Sequence, residues 1–339
     1  MMRRSSFVAS MAALPAAAVS AAVDAQPPAP GAVGIGLESV DYGFPVSFMP
    51  FTVDGHDVRM AYLDVTPTVK PNGKALLFLH GKNFYGMYWE GTIRAACARG
   101  YRVVAPDQIG WGKSSKPNLS YSFDLLASNT ARILDRVGVA RVSVVGHSTG
   151  GMLATRFTRM FPERVERLVL EDSVGMEDYR RVIVPPPLDV LERQELNLDP
   201  SGVRRIFENY LANPARIGLF ARAIEIALGV LQSADYPIWA RASALAYRMI
   251  YEQPVCYEYD LIAAPSLVVV GAADHTAPLA SFAPAAAREQ LGHMPELAQQ
   301  TARALRDGRF VRIADAGHVP HLEQPEAFGR SLFAFLAAT

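Results

Sequence analysis

Five short apolar runs constrain this chain most: "ALLFLH" at 75–80, "YRVVAP" at 101–106, "VSVVGH" at 142–147, "RLVLED" at 167–172 and "SLVVVG" at 266–271. Each is too short for a typical helix and lacks polar alternation, so each suits a strand covered on both faces, as in a parallel sheet. Helical patterns separate them, over Met87–Arg99, Tyr121–Val137 and Gly151–Phe161. Strand alternating with helix predicts an α/β fold with a mostly parallel central sheet flanked by helices. Two further runs, "FPVSFMPFTV" and "HDVRMAYLDV", meet at Asp54-Gly55, a hairpin signal. After "RLVLEDSVG" the alternation stops. Residues 176–260 read as helix after helix, and strand texture returns at Pro265. The expected organisation is a core of 44–175 and 261–339, interrupted by a helical cap at 176–260. One more helix, in "PAAAREQLGHMPELAQQTARAL", precedes the last strand, "RFVRIADA". A helix over Pro325–Ala338 closes the chain.

Charge narrows the functional classes. Among 339 residues, 33 Lys and Arg balance 33 Asp and Glu, and no basic run occurs. Nucleic acid and anionic membranes have no electrostatic handle on such a chain. The start reads as a secretory signal peptide. "MMRRSSFVASMAALPAAAVSAAVDAQ" pairs two arginines with an Ala/Val-rich stretch and small residues, with cleavage expected after Ala25. A flexible leader, 26–43, should follow, and the mature protein should be periplasmic or secreted with no membrane span. Two cysteines make no disulfide framework, and Cys97 reads as a small buried apolar residue in a helix. No clustered His, Cys and carboxylate set has metal-ligand spacing, so neither metal nor organic cofactor is expected.

The stretch "RVSVVGHSTGGMLATRF" explains why a hydroxyl would stand at a tight corner. Gly146-His147-Ser148-Thr149-Gly150 follows a buried strand and opens a helix, the context of a G-x-S-x-G nucleophile elbow. A serine exposed above a sheet needs a strained turn, and glycine neighbours let strand and helix nearly touch. The helix that follows aims backbone N–H groups toward developing negative charge.

With "FLHGKN", "PDQIGWGKSSKP", "GHSTGG", "VVVGAADHTAP" and "DAGHVPHLEQPEAF" in that order, the chain resembles an α/β-hydrolase fold serine hydrolase with a cap, from about Phe44 to Thr339. The resemblance implies the order nucleophile, acid, histidine: Ser148, Asp274, His318. His321 and Asp172 remain rivals for the last two roles. It also implies an oxyanion hole from the backbone N–H of Thr149 and of Lys82, with Asn83 as the alternative to Lys82. The Lys82 side chain is read as a solvated charge. Phe84, Tyr85, Trp111 and His147 are candidate substrate contacts, although His147 and the aromatics equally suit packing. His80 should brace the loop below the site, and Asp107 with Gly110 and Gly112 should form a structural turn. His56, His275 and His293 read as surface or turn residues. The implied substrate is a small-molecule ester or lactone. C–C bond hydrolysis or cofactor-free perhydrolysis would use the same three side chains, and a non-catalytic binding scaffold is the alternative of another class. Serine at the elbow sets the chain apart from epoxide hydrolases and haloalkane dehalogenases, which carry aspartate there.

Overall fold

The computed structural model describes residues 31–338. The expected signal peptide, residues 1–25, lies outside them. One eight-stranded sheet organises the chain: β1 (Val46–Val53), β2 (His56–Val65), β3 (Ala75–Leu79), β4 (Arg102–Pro106), β5 (Val142–His147), β6 (Val165–Glu171), β7 (Ser266–Gly271) and β8 (Gly308–Ile313). Their spatial order is β1-β2-β4-β3-β5-β6-β7-β8. The ladders from β4 to β8 are parallel, whereas β1–β2 and β2–β4 are antiparallel. The hairpin signal is explained by its backbone: Asp54 and Gly55 both have positive φ, 46° and 76°, which a two-residue turn matching strand twist requires.

The apolar runs are buried as their texture predicted. Every residue of β5 and of β7 is buried, and Leu76 to Leu79 of β3 are fully enclosed. Burying each such Leu, Val or Phe contributes about 1.5–3 kcal/mol. Helices cover both faces. Phe123–Arg136 starts where the Ser122 side chain accepts from Leu125 N–H, which satisfies one of the free donors of the first turn. The expected single helix across residues 284–305 is two, Ala285–Arg288 and Met294–Ala304. Gly292, at φ 76° with a carbonyl of His275 close behind it, breaks the run.

The order of β4, β3 and β5 positions the site. The chain leaves β3 toward one edge to form β4, then returns to β3's other flank as β5. The loops after β3 and β5 therefore diverge above the carboxyl ends of the strands, which leaves a crevice there. Between β6 and β7 the described chain forms helices only, chiefly Leu188–Leu196, Pro200–Glu208, Ala221–Leu231 and Tyr236–Glu252. Asp199 caps the second of these by accepting from Gly202 N–H, with Pro200 at its first position. No single helix among the described residues is long and apolar enough to cross a membrane.

The 26–43 stretch, expected as a flexible leader, is packed over its described part. Leu37 and Tyr42 are buried. Val33 N–H donates to the Gly229 carbonyl at 2.9 Å, and Tyr42 O–H to Asp107 at 2.8 Å. Lys113 Nζ donates to the Leu37 carbonyl. Two large apolar anchors outweigh the local preference of Gly and Pro for freedom. Cys97 and Cys256 are both free thiols, and Cys97 is buried.

Candidate active site

Ser148 stands between the end of β5 and the helix Thr149–Met160, with φ 56° and ψ −122°. A non-glycine residue rarely takes such a conformation, and the surroundings must hold it there. Two glycines permit the fit. A Cβ on Gly146 would stand 2.2 Å from the Gly150 carbonyl oxygen, and one on Gly150 would stand 2.2 Å from that of Leu79. The helix thus lies against β5 and β3 at backbone contact. Ser148 N–H donates to the Glu171 carbonyl at 3.0 Å, which ties the corner to β6.

The fold brings Ser148, His318 and Asp274 into one chain. His318 Nε2 lies 2.9 Å from Ser148 Oγ, and His318 Nδ1 lies 2.9 Å from Asp274 Oδ2. Asp274 Oδ1 accepts from Thr276 N–H at 2.9 Å. Burial alone would raise the Asp274 carboxyl. The charge and hydrogen bond of His318, with the bond from Thr276, outweigh that and hold it below the usual carboxylate range. An ionised Asp274 requires N–H on His318 Nδ1, so Nε2 carries the lone pair that faces the serine hydroxyl.

The rivals take other places. His321 sits in a separate buried pair: its Nδ1 is 3.0 Å from both oxygens of Glu171, and its backbone N–H donates to Glu171 at 2.8 Å. Its ring stacks on Trp89. Asp172 lies beside Asp274 without reaching His318 in a hydrogen bond. His80 does brace loops: it accepts from Gln108 N–H at 3.0 Å. Asp107 gathers Gly86 N–H, Lys113 N–H and Tyr42 O–H.

A cavity of about 510 Å³ opens over the serine, lined by Lys82, Asn83, Ser148 and Thr149 from the core and by Ile206, Tyr210 and Tyr247 from segment 176–260. The backbone N–H groups of Lys82, Asn83 and Thr149 donate to no other group among the described residues. All four candidate substrate contacts lie elsewhere. Phe84 is buried in a cluster with Phe207 and Phe220 that glues the core to the helical segment. Tyr85 and Trp111 line a second, smaller cavity of about 80 Å³. His147 is wholly buried and donates from Nε2 to the His318 carbonyl at 2.6 Å. Its ring packs 4.8 Å from that of His318 and does not line the cavity. His275, read as a surface residue, is exposed yet lines the larger cavity.

Several site residues carry no local signal. The Lys82 side chain is not a solvated charge. It reaches across to segment 176–260, with Nζ 2.6 Å from Ser243 Oγ, 3.4 Å from Glu195 and 3.7 Å from the Tyr247 ring centre. It borders both cavities. Asn83 donates to Tyr210 Oη at 2.7 Å. Tyr210 accepts His318 N–H at its carbonyl, 2.7 Å away, and Gly317 packs so closely that a Cβ would stand 2.4 Å from that same oxygen. Glu323 then accepts from both Gly317 N–H and Ala212 N–H, at 2.6 and 3.1 Å.

Burial keeps two histidines neutral here. Desolvation, then charge on His318 and His321, pushes His147 well below its ordinary pKa. Desolvation lowers His80 as well, against an opposing Asp107. An unfolded histidine titrates near about 6.5. Below that pH the unfolded chain binds protons that the folded chain refuses, so stability rises with pH through this window and is lost as pH falls. Each histidine therefore adds a positive slope of stability against pH, up to about 1.4 kcal/mol per pH unit below about pH 6.5, which the raised carboxyl of buried Asp172 opposes. His147→Gln should flatten that slope. A profile of urea midpoint against pH that is the same in this variant as in the wild type would contradict the account.

These features define an α/β hydrolase, and the Alpha/beta hydrolase family model matches residues 76–330. The chain belongs to that family. A crystal structure described as a probable hydrolytic enzyme, from Pseudomonas aeruginosa PAO1, is 40% identical with a TM-score of 0.86, covering 91% of this chain and 99% of that one. An uncharacterized protein of Mycobacterium bovis is 37% identical over 121 residues, 36% of this chain, and the match spans only 34% of that relative's length. A 2-hydroxy-6-oxononadienedioate/2-hydroxy-6-oxononatrienedioate hydrolase of Burkholderia vietnamiensis is 39% identical over 152 residues, 44% of this chain and 51% of that protein.

Proposed function

We propose that this α/β hydrolase cleaves a carboxylic ester or lactone through an acyl-enzyme. The carrying observation is the unbroken line Asp274–His318–Ser148, at 2.9 Å per link, on the floor of the cavity. His318 Nε2 takes the serine proton as Ser148 Oγ attacks the carbonyl carbon. The carbonyl oxygen gains negative charge beside the unengaged N–H groups of Thr149 and Lys82, an arrangement worth about 3–4 kcal/mol per donor in comparable sites. His318 then gives its proton to the departing alkoxide. Water, deprotonated by the same nitrogen, attacks the acyl-serine and releases the acid. Asp274 holds the imidazole tautomer and offsets its transient charge. Segment 176–260 acts as a cap, and its Ile206, Ile250 and Tyr247 favour an apolar substrate group. The basic start and small-residue end of 1–25 support export of the enzyme.

A fluorophosphonate should label Ser148, located by peptide mapping, and a panel of activated esters and lactones should be hydrolysed with a chain-length optimum. Similarity to the Burkholderia enzyme makes a 2-hydroxy-6-oxo dienoate the informative addition to the panel. Turnover of that compound with no ester turnover would replace the ester reading by C–C hydrolysis. Label on another residue would end both.

A further inference from the structure

We propose that Asp172 is a positioning residue of this site: its carboxyl O–H donates to the Asp274 carboxylate and holds it in line with His318. The inference rests on reading Ser148, His318 and Asp274 as the working triad.

Asp172 is the first residue beyond β6, and its backbone turns there at φ 42°. The residue is fully buried. Its Oδ1 accepts from Gly271 N–H, at the end of β7, at 2.9 Å. Its Oδ2 is buried with no conventional partner among the described residues. Yet ligating atoms of Asp172, Asp274 and His318 all lie within 4.8 Å of one another. Two carboxyl groups thus share a buried space.

The surrounding charges decide where the proton sits. Glu171, next in the chain, is engaged by the His321 ring and backbone. His147 is neutral and donates to a carbonyl. Tyr88, Tyr179, Tyr210 and Glu323 also act on the pair but bring no positive charge, and His318 must be uncharged to accept the serine proton. With no cation to offset them, adjacent buried carboxylates cannot both ionise. Asp274 receives two donors, His318 Nδ1–H and Thr276 N–H, whereas Asp172 receives one. The proton therefore belongs on Asp172. The directions of the two shifts agree: burial and the Asp274 charge raise Asp172, and Asp274 is held low despite its burial. A carboxyl O–H left unpaired in such a place costs about 1–3 kcal/mol, and the acceptor within reach is Asp274.

This bond has a chemical effect beyond geometry. It draws charge from Asp274 and so weakens that group's grip on a protonated His318. The enzyme then stays active to lower pH than Asp274 alone would allow.

The test is the rate of Ser148 phosphonylation by a fluorophosphonate against pH, in the full chain and in two variants. Asp172→Gly removes the donor and suits the left-handed backbone, so it should fold. Asp172→Asn replaces O–H by N–H. We expect Asp172→Gly to react about tenfold more slowly and its acid limb to move upward by about half a pH unit or more. Asp172→Asn should restore both rate and midpoint. An acid limb that moves downward in both variants would mean that Asp172 is ionised, because removing a negative charge has that sign, and the proposal falls. Identical profiles in all three proteins, or an Asn variant no better than Gly, overturn it as well. The downfield NMR resonance of His318 Nδ1–H gives a readout independent of reactivity. It should shift in the Gly variant and return in the Asn variant, and an unmoved signal counts against the bond. Absence of labelling at Ser148 in the wild type would defeat the hydrolase reading separately, and the resonance would still decide the role of Asp172.

Discussion

Replacing Ser148 by alanine should lower ester turnover by about 10⁵–10⁶, or about 7–8 kcal/mol of transition-state stabilisation. The size follows from what the hydroxyl is joined to. His318 Nε2 at 2.9 Å can take its proton only because Asp274 occupies the other ring nitrogen. Removing the oxygen leaves the N–H groups of Thr149 and Lys82 and the cavity intact, so binding should persist while chemistry stops. The measurement is kcat and KM on the best ester of the panel. Activity within tenfold of wild type would show that another group attacks the substrate. Residual activity about 10³-fold over solution would fit oriented binding beside the oxyanion donors.

Gly150→Ala should cost about 3 kcal/mol or more of stability, with loss of labelling at Ser148. The added methyl would meet the Leu79 carbonyl oxygen at 2.2 Å, its carbon at 2.6 Å and the His80 carbonyl oxygen at 2.7 Å. These are backbone atoms of β3 and its exit, so no side chain can swing aside. The helix would have to back away and take Ser148 with it. Gly218→Ala is the contrast: nothing lies within 4 Å of its missing Cβ, and the change should stay within about 0.5 kcal/mol. A loss below about 1 kcal/mol for Gly150→Ala, with Ser148 still reactive, would show that helix and sheet are looser than their contact implies.

Local pattern carried the sheet far. "VSVVGH" and "SLVVVG" read as strands buried on both faces, because a run without polar alternation has no side to give to water. The turn at Asp54-Gly55 and the strand-corner-helix at Ser148 were legible for the same reason: backbone geometry there demands particular residues. Ser148, Asp274 and His318 could be picked out in the chain, and the fold brings their side chains together.

Other features depend on what folds over from a distance. Lys82 has the composition of a surface charge, and its burial is decided by Glu195, Ser243 and Tyr247, more than a hundred residues away. Phe84 looked like a pocket wall, yet Phe207 and Phe220 claim it. The Pro- and Gly-rich stretch before Phe44 reads as loose, and only the docking of Leu37 and Tyr42 reverses that. Asp172 could be named as a rival acid, but its shared space with Asp274 is a property of two strand ends side by side.

The tie between Tyr210 and the His318 loop limits how this enzyme can admit a substrate. The Tyr210 carbonyl holds the backbone of the base, and Glu323 clasps both sides of that junction. If the roof lifted as a rigid door, it would drag the imidazole off the serine and disarm the catalyst with every visit. Traffic is better served by the rim around Leu279 and Phe282, which borders the same chamber and takes no part in those bonds.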